Sequence, residues 1–300
     1  MHGIVLCVHS DFYDVQSDDG LVWQCKVLGR LKREKRRSTL VATGDHVDIE
    51  PVDSDRHMAV ITAIHPRRRT LSRLRPGRGH PFEDVILANP DEIMVVFAVA
   101  EPEPNLRLLD RFLVAAEASE LEIFIVINKI DLGGEDRARE MFGEYEQIGY
   151  RLFFTSVKQG LGIEAVRRQL RDHITVVAGP SGVGKSSLIN AIEPGLNLRV
   201  GEVMAIGKGR HTTRHARLHP LSQGGYIADT PGLRELGLWD VRPEELSDYF
   251  PEIRRHAPNC RFALCTHIHE PDCAVQQALA AGLISPRRWD SYLRLFHGEE

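Results

Sequence analysis

The sequence predicts an α/β fold at its centre, preceded by a small β-barrel and followed by a short helical segment rich in cysteine. Three observations carry this. Short β-rich segments crowd residues 1–66, apolar strands alternate with amphipathic helices from Val85 to about residue 250, and Cys, His and Cys recur between Cys260 and Cys273. Several short strands in so few residues fit a small barrel. Strand–helix alternation implies a parallel sheet covered by helices.

In the first part the candidate strands are 3–9, 11–16, 21–28, 46–51 and 58–64, separated by Asp/Gly turns. An OB-fold is the leading candidate, and an SH3-like barrel has much the same pattern. Net charge over the chain is −4, but residues 1–80 hold 14 Lys/Arg against 10 Asp/Glu. Positive charge gathers in Arg30-Leu-Lys-Arg-Glu-Lys-Arg-Arg37, then at Arg67, Arg68, Arg69, Arg73, Arg75 and Arg78. Two basic clusters framing one small domain mark it for a polyanion, RNA in the case of an OB barrel. The polar stretch 65–83, with Pro66, Pro76, Gly77, Gly79 and Pro81, reads as a linker. The expected division is therefore 1–66 barrel, 67–84 basic linker, 85–250 central α/β domain and 251–300 C-terminal domain.

The central strands are read at 92–100, 122–127, 151–155 and 174–178, and the helices at 106–119, 135–148, 163–172 and 187–192. Its longest apolar run, Ile93 to Ala100, has the length of a buried strand and falls far short of the roughly 18 residues of a membrane span. No membrane association is expected. The N-terminus lacks the basic start and small-residue cleavage site of a secretory signal, so a cytoplasmic location is expected.

Three segments carry the chemistry. Gly179-Pro180-Ser181-Gly182-Val183-Gly184-Lys185-Ser186, then Ser187, follows an apolar strand and opens a helix, the context a phosphate-binding loop requires. Its amides face phosphates, Lys185 meets the β- and γ-phosphates during transfer, and Ser186 ligates Mg²⁺. Asn128-Lys129-Ile130-Asp131 ends another apolar strand. A carboxylate there accepts guanine N1–H and N2–H₂, an edge adenine lacks, so Asp131 selects GTP. Thr155-Ser156-Val157-Lys158 stands where a loop with a backbone N–H for guanine O6 belongs. Asp229-Thr-Pro-Gly232 is the segment that senses the γ-phosphate, Asp229 through Mg²⁺ and Gly232 through its amide.

Upstream, Gly207-Lys-Gly-Arg-His-Thr-Thr-Arg214 has the composition of a mobile switch, in which Thr212 or Thr213 supplies a hydroxyl to Mg²⁺, with Thr213 favoured. Leu233 stands where Ras-like enzymes orient water with Gln, which predicts slow intrinsic hydrolysis and makes His211 the candidate catalytic group. The order of these parts is informative. The base-reading motif precedes the phosphate loop, whereas Ras-like chains run the other way. The central domain is thus expected to be a circularly permuted P-loop GTPase domain, cheap to build where chain ends lie close together.

Cys260-x4-Cys265-x-His267-x5-Cys273 offers four soft ligands within 14 residues, a closed set for one structural Zn²⁺, with His269 the alternative to His267. Cys7 and Cys25 fall in candidate barrel strands and read as packing residues. Helices are expected at 274–281 and 286–297.

With these motifs in place, the chain resembles the RsgA family, circularly permuted GTPases of small ribosomal subunit biogenesis. The resemblance covers essentially the whole chain: OB barrel, rotated GTPase and zinc-binding C-terminal domain. It implies GTP/GDP and Mg²⁺ as ligands, binding to the small subunit and its rRNA late in maturation, and GTP hydrolysis stimulated by that subunit. A monomer is expected.

Overall fold

The structure, a computed structural model, describes residues 1–32, 38–75, 82–198, 216–229 and 241–299. The barrel region holds β1 (His2–Val8), β2 (Tyr13–Ser17), β3 (Val22–Val27), α1 (Gly29–Lys32), β4 (His46–Asp53) and β5 (Met58–Ile64). Next come β6 (Thr70–Arg75), β7 (Phe82–Ala88), β8 (Glu92–Ala98), α2 (Leu106–Glu117), β9 (Glu122–Asn128), α3 (Glu135–Ile148) and β10 (Arg151–Phe154). After these stand α4 (Ile163–Gln169), β11 (Ile174–Ala178), α5 (Lys185–Ile192), β12 (Arg217–Pro220) and β13 (Tyr226–Asp229). The C-terminal helices are α6 (Pro251–Arg254), α7 (Ala274–Ala280) and α8 (Pro286–Phe296).

The described residues group into two compact units. The first takes those within Met1–Ile93, Ile163–Val177 and Lys185–Gly237; the second those within Met94–Gly162, Ala178–Gly184 and Leu238–Glu300.

In the first unit, β1, β2, β3, β5 and β4 are neighbours in that order, and β4 returns to pair with β1, which closes an OB-like barrel. β3 and β5 run parallel, and the other barrel pairs are antiparallel. Strict alternation along β3 sends Trp23, Cys25 and Val27 inward against Val5, Val15, Val47 and Ile61. The Trp23 indole N–H is satisfied by Ser17 Oγ at 3.0 Å, so this large ring is buried without an orphaned donor. Cys7 and Cys25 are buried in this unit, as packing residues would be.

Beyond its pairing with β4, the C-terminal end of β1 continues through β12, with Cys7 opposite Arg217, to β13 and then β11, which runs parallel to β13. β12 escapes sequence reading because it is four residues long, carries one inward apolar side chain, Leu218, and ends in proline. Within the stretch read as a linker, β6 pairs antiparallel with β7 from Thr70↔Ala88 to Arg75↔Phe82. Arg67, from the second basic cluster, turns inward: its guanidinium donates to both oxygens of fully buried Asp45 at 2.7 and 2.8 Å. Arg33 to Arg37, and Arg78, lie outside the described residues.

In the second unit β8, β9 and β10 are neighbours, with β9 and β10 parallel. Every residue of β8 is buried, as expected of a strand covered on both faces. α2 starts at Asn105, whose side chain accepts the Leu108 amide at 3.1 Å and satisfies one of the orphan donors of the first turn. Its inward stripe, Leu109, Phe112, Leu113 and Ala116, is broken by a charge: Asp110 is fully buried. The C-terminal helices share a core of Phe250, Ile253, Val275, Ala278, Ile284 and Tyr292, into which Val114 of α2 packs.

Candidate functional site

The segment expected to read the base, Asn128 to Asp131, lies where β9 ends. Asn128 is buried, and its amide donates from Nδ2 to the Val183 carbonyl at 2.9 Å while its Oδ1 accepts the Thr155 hydroxyl at 3.1 Å. One side chain thus ties the phosphate loop to the loop after β10. Val183 itself is 1% exposed, which seats the loop's tip from beneath. Lys129 adopts φ +62°, turning its side chain back so that its ammonium donates to the Glu101 carbonyl. Asp131 accepts the Ser156 hydroxyl on Oδ1 at 2.6 Å, and the same Ser156 oxygen accepts the Gln159 amide. The carboxylate is therefore aimed by a buried serine one loop away. Val157 is half-buried and Lys158 exposed beside it.

Two glycines of the phosphate loop are forced by contact as well as by conformation. At Gly179, φ +136°, a Cβ would stand 2.1 Å from the Val96 carbonyl oxygen. At Gly184, φ +93°, it would stand 2.6 Å from Asn128 Nδ2. Any side chain at Gly184 would displace the amide that braces the loops. Pro180 is half-buried, and Ser181 and Gly182 are exposed at the loop's outer face.

In the first unit, Lys185 and Ser186 open α5 and are 6% and 5% exposed, and Ser187 is half-buried. Burial pulls the Lys185 ammonium down to about 8. Asp229 ends β13, one residue past the Val176↔Ala228 pair, and so reaches the carboxyl edge at which parallel β11 also ends. Ligands of parallel sheets bind at that edge. His211, Thr212, Thr213, Gly232 and Leu233 lie outside the described residues.

Sequence reading missed Thr155 as the partner of Asn128 and the Glu101 carbonyl as the partner of Lys129. Thr155 opens the loop motif that runs to Lys158, next to Ser156, whereas nothing local marks Glu101.

The cysteine cluster lies in the second unit. Cys260 Sγ and Cys273 Sγ each stand 3.5 Å from His267 Nδ1 and 3.8 Å from one another. The four ligand atoms, with Cys265 Sγ, all lie within 4.8 Å of one another. A tetrahedral Zn²⁺ with its usual bond lengths sets S···N edges at about 3.5 Å and S···S edges at about 3.8 Å. The donor set fits that ion. Cys273 also caps α7 by accepting the Gln276 amide, and the Gln276 side chain donates back to the His267 carbonyl at 2.7 Å. His267, not His269, belongs to the cluster. Among the described residues no helix is long and apolar enough to cross a membrane.

Two solved structures share this architecture over nearly the whole chain. The crystal structure of YjeQ from Thermotoga maritima is similar at a TM-score of 0.79 and 36% identity, covering 99% of this chain and 97% of that one. The crystal structure of YloQ, described as a circularly permuted GTPase, is similar at 0.77 and 32%, covering 99% and 94%. Fold, motif order and these likenesses define a circularly permuted GTPase with an OB-like barrel. Residues 64–239 match the RsgA GTPase family and residues 2–61 the RsgA N-terminal domain. Relatives from Gemmatimonas aurantiaca and Moorella thermoacetica, each named small ribosomal subunit biogenesis GTPase RsgA, are 45% and 43% identical over 294 residues, covering 98% of this chain and 95% of theirs. The chain belongs to the RsgA family and is a GTP-hydrolysing enzyme, with GTP, GDP and Mg²⁺ as its ligands.

Proposed function

We propose that this GTPase binds the small ribosomal subunit through its rRNA, that the subunit stimulates hydrolysis, and that turnover releases the protein late in subunit maturation. The observation that carries this reading is the shared name and near-complete coverage of relatives at 43–45% identity. The barrel region supports it, since its basic run from Arg30 to Arg37 supplies charge for RNA phosphates.

In this reading Asp131 accepts guanine N1–H and N2–H₂, Ser156 holds its carboxylate, Lys129 lays its stem along the base, and a backbone N–H at Val157 or Lys158 meets O6. Asn128 braces the two loops. Amides from Gly179 to Ser187 face the phosphates, and Lys185 meets the β- and γ-phosphates as charge shifts in transfer. Ser186, Asp229 and Thr213, or Thr212 in its place, are the Mg²⁺ ligands, direct or through water, and the Gly232 amide senses the γ-phosphate. Mg²⁺, when bound, neutralises charge on the phosphate oxygens. His211 is the candidate to orient water, since Leu233 has no polar atom to do so. Zn²⁺ held by Cys260, Cys265, His267 and Cys273 is structural, because four protein ligands leave no open position. The protein acts as a monomer in the cytoplasm.

The test is GTP hydrolysis by the purified chain alone, with small subunits and with large subunits. Strong stimulation by small subunits only is expected. Equal rates in all three would reduce nucleotide to a structural ligand and overturn the proposal. A His211→Ala protein that small subunits still stimulate normally would remove His211 from the catalytic role.

A further inference from the structure

A second constellation of metal-ligating groups stands on the barrel, far in sequence from the cysteine cluster. His2 opens β1, Asp48 lies in β4, and His65 directly follows β5. Strand pairing fixes all three on one rim: His2 is in register with Asp48, and the His65 amide donates to the His46 carbonyl at 2.9 Å. Asp48 Oδ1 then stands 3.5 Å from His2 Nδ1 and 3.1 Å from His65 Nε2. The three ligand atoms lie within 4.8 Å of one another.

A hydrogen bond accounts for the His65 contact but poorly for the His2 contact. The His2 contact is too long for a good N–H···O bond. Yet bonds of about 2.0–2.2 Å from one ion to imidazole nitrogen and carboxylate oxygen place neighbouring ligand atoms roughly 3–3.5 Å apart. Both Asp48 contacts have that spacing. His46 stacks on the His2 ring with centroids 5.5 Å apart and planes 3° from parallel, while His65 meets the same ring edge-on at 5.0 Å. The His2 ring is thereby held between two others. All three ligand side chains are 40–45% exposed, so an ion reaches them from solvent. A cavity of about 370 Å³ opens on the other side of His2, lined also by His46, Gln16, Ser17, Asp18 and Tyr226, and neither Asp48 nor His65 borders it.

We propose that His2, Asp48 and His65 form a second metal site, for a divalent transition-metal ion of the zinc type, independent of the cysteine cluster. Imidazole with carboxylate suits that class of ion better than Mg²⁺ or Ca²⁺, which take oxygen. The ion ties the first strand of the barrel to the residue that leaves its last strand. Because it binds the folded barrel only, it raises the barrel's stability as its concentration rises above the dissociation constant.

The full chain, stripped of metal, is titrated with Co²⁺. Cobalt on the cysteine cluster gives strong thiolate charge-transfer absorption, whereas cobalt on two imidazoles and a carboxylate gives weak ligand-field bands only. The expected result is one ion of each kind per chain. His65→Gln and Asp48→Asn should each lower affinity at the second site by more than the roughly 10–100-fold attached to losing an outer partner of a metal ligand, with the thiolate band unchanged. A chain that takes up only the thiolate-bound ion, or a second ion that both variants bind as tightly, overturns the site. In the unmodified chain, paramagnetic broadening by that second ion must reach the ring protons of His2 and His65. Broadening confined to other histidines overturns it too, whether or not the variants fold.

Discussion

Arg288 Nη1 donates to Asp110 Oδ1 at 2.7 Å, with the two side chains 1% and 0% exposed. The pair joins α8 to α2. Asp110 also accepts Tyr145 Oη at 2.6 Å, Arg287 Nη1 at 2.9 Å and Ser291 Oγ, while Arg288 Nε donates to Glu252 of α6 at 2.6 Å. A buried carboxylate with four donors, facing a buried guanidinium with two carboxylates, is a satisfied network. Its energetic weight appears when one member is lost, because the remaining charge then stays buried without full compensation.

Asp110→Ala should destabilise the second unit by about 3–5 kcal/mol, because Arg288 would remain buried facing one carboxylate fewer. Denaturant melts tracked at Trp289, stacked on Tyr292, would report it. A midpoint unchanged from wild type would show that the network contributes nothing net.

Ser156→Ala removes the hydroxyl that aims Asp131 and should weaken GTP binding by about 0.5–1.5 kcal/mol, roughly 2–12-fold, leaving the fold intact. Asp131→Asn replaces an acceptor by a donor opposite guanine N1–H. Its loss should exceed that of Ser156→Ala, with relative gain for a purine bearing a carbonyl at C2. Titrations with GTP and xanthosine triphosphate decide it; a variant that keeps full preference for GTP would remove Asp131 from base reading.

Lys185 supplies a pH dependence. Its folded value of about 8 lies below the ordinary 10.5, because burial disfavours the charged form. Between those values the unfolded chain binds more protons than the folded one, so this group's contribution to stability rises with pH across the window. A triphosphate beside the ammonium favours its protonated form. GTP binding should therefore take up protons above about pH 8 and weaken as pH climbs further. Calorimetry in buffers of different ionisation heat measures this directly, and heats independent of buffer would contradict it.

If the cluster holds Zn²⁺ as proposed, removing metal with a chelator should loosen the segment from Cys260 to Cys273 and the start of α7, since Cys273 also caps that helix. Hydrogen exchange is the readout. Amides such as that of Gln276 should lose protection while barrel strand β3 keeps its own. Uniform protection after chelation would mean that the protein core alone holds the cluster.

Much of this was legible in sequence because the signals are local. A phosphate loop needs glycine at Gly179 and Gly184 because its own backbone takes positive φ at both, and the Cys/His spacing falls within one loop. Apolar runs long enough to cross a sheet, such as β8 and β9, announced themselves. What was hidden is assembled from distant segments. His2, Asp48 and His65 share a rim only because β1, β4 and β5 pair. Asp110 did leave a trace: it falls three or four positions from Leu106 and Leu113, on the apolar stripe of α2, where an unpaired charge is not tolerated. Its partners on α8, 177 residues and more away, left none.

Synthesis runs from N- to C-terminus, so α2 emerges long before α8 exists. Until Arg287, Arg288 and Ser291 have been made, Asp110 lacks three of the four donors that meet it in the finished protein. A nascent or prematurely terminated chain thus carries a carboxylate that its own helix would bury at a penalty. Completion of the last turns of polypeptide is what supplies those donors.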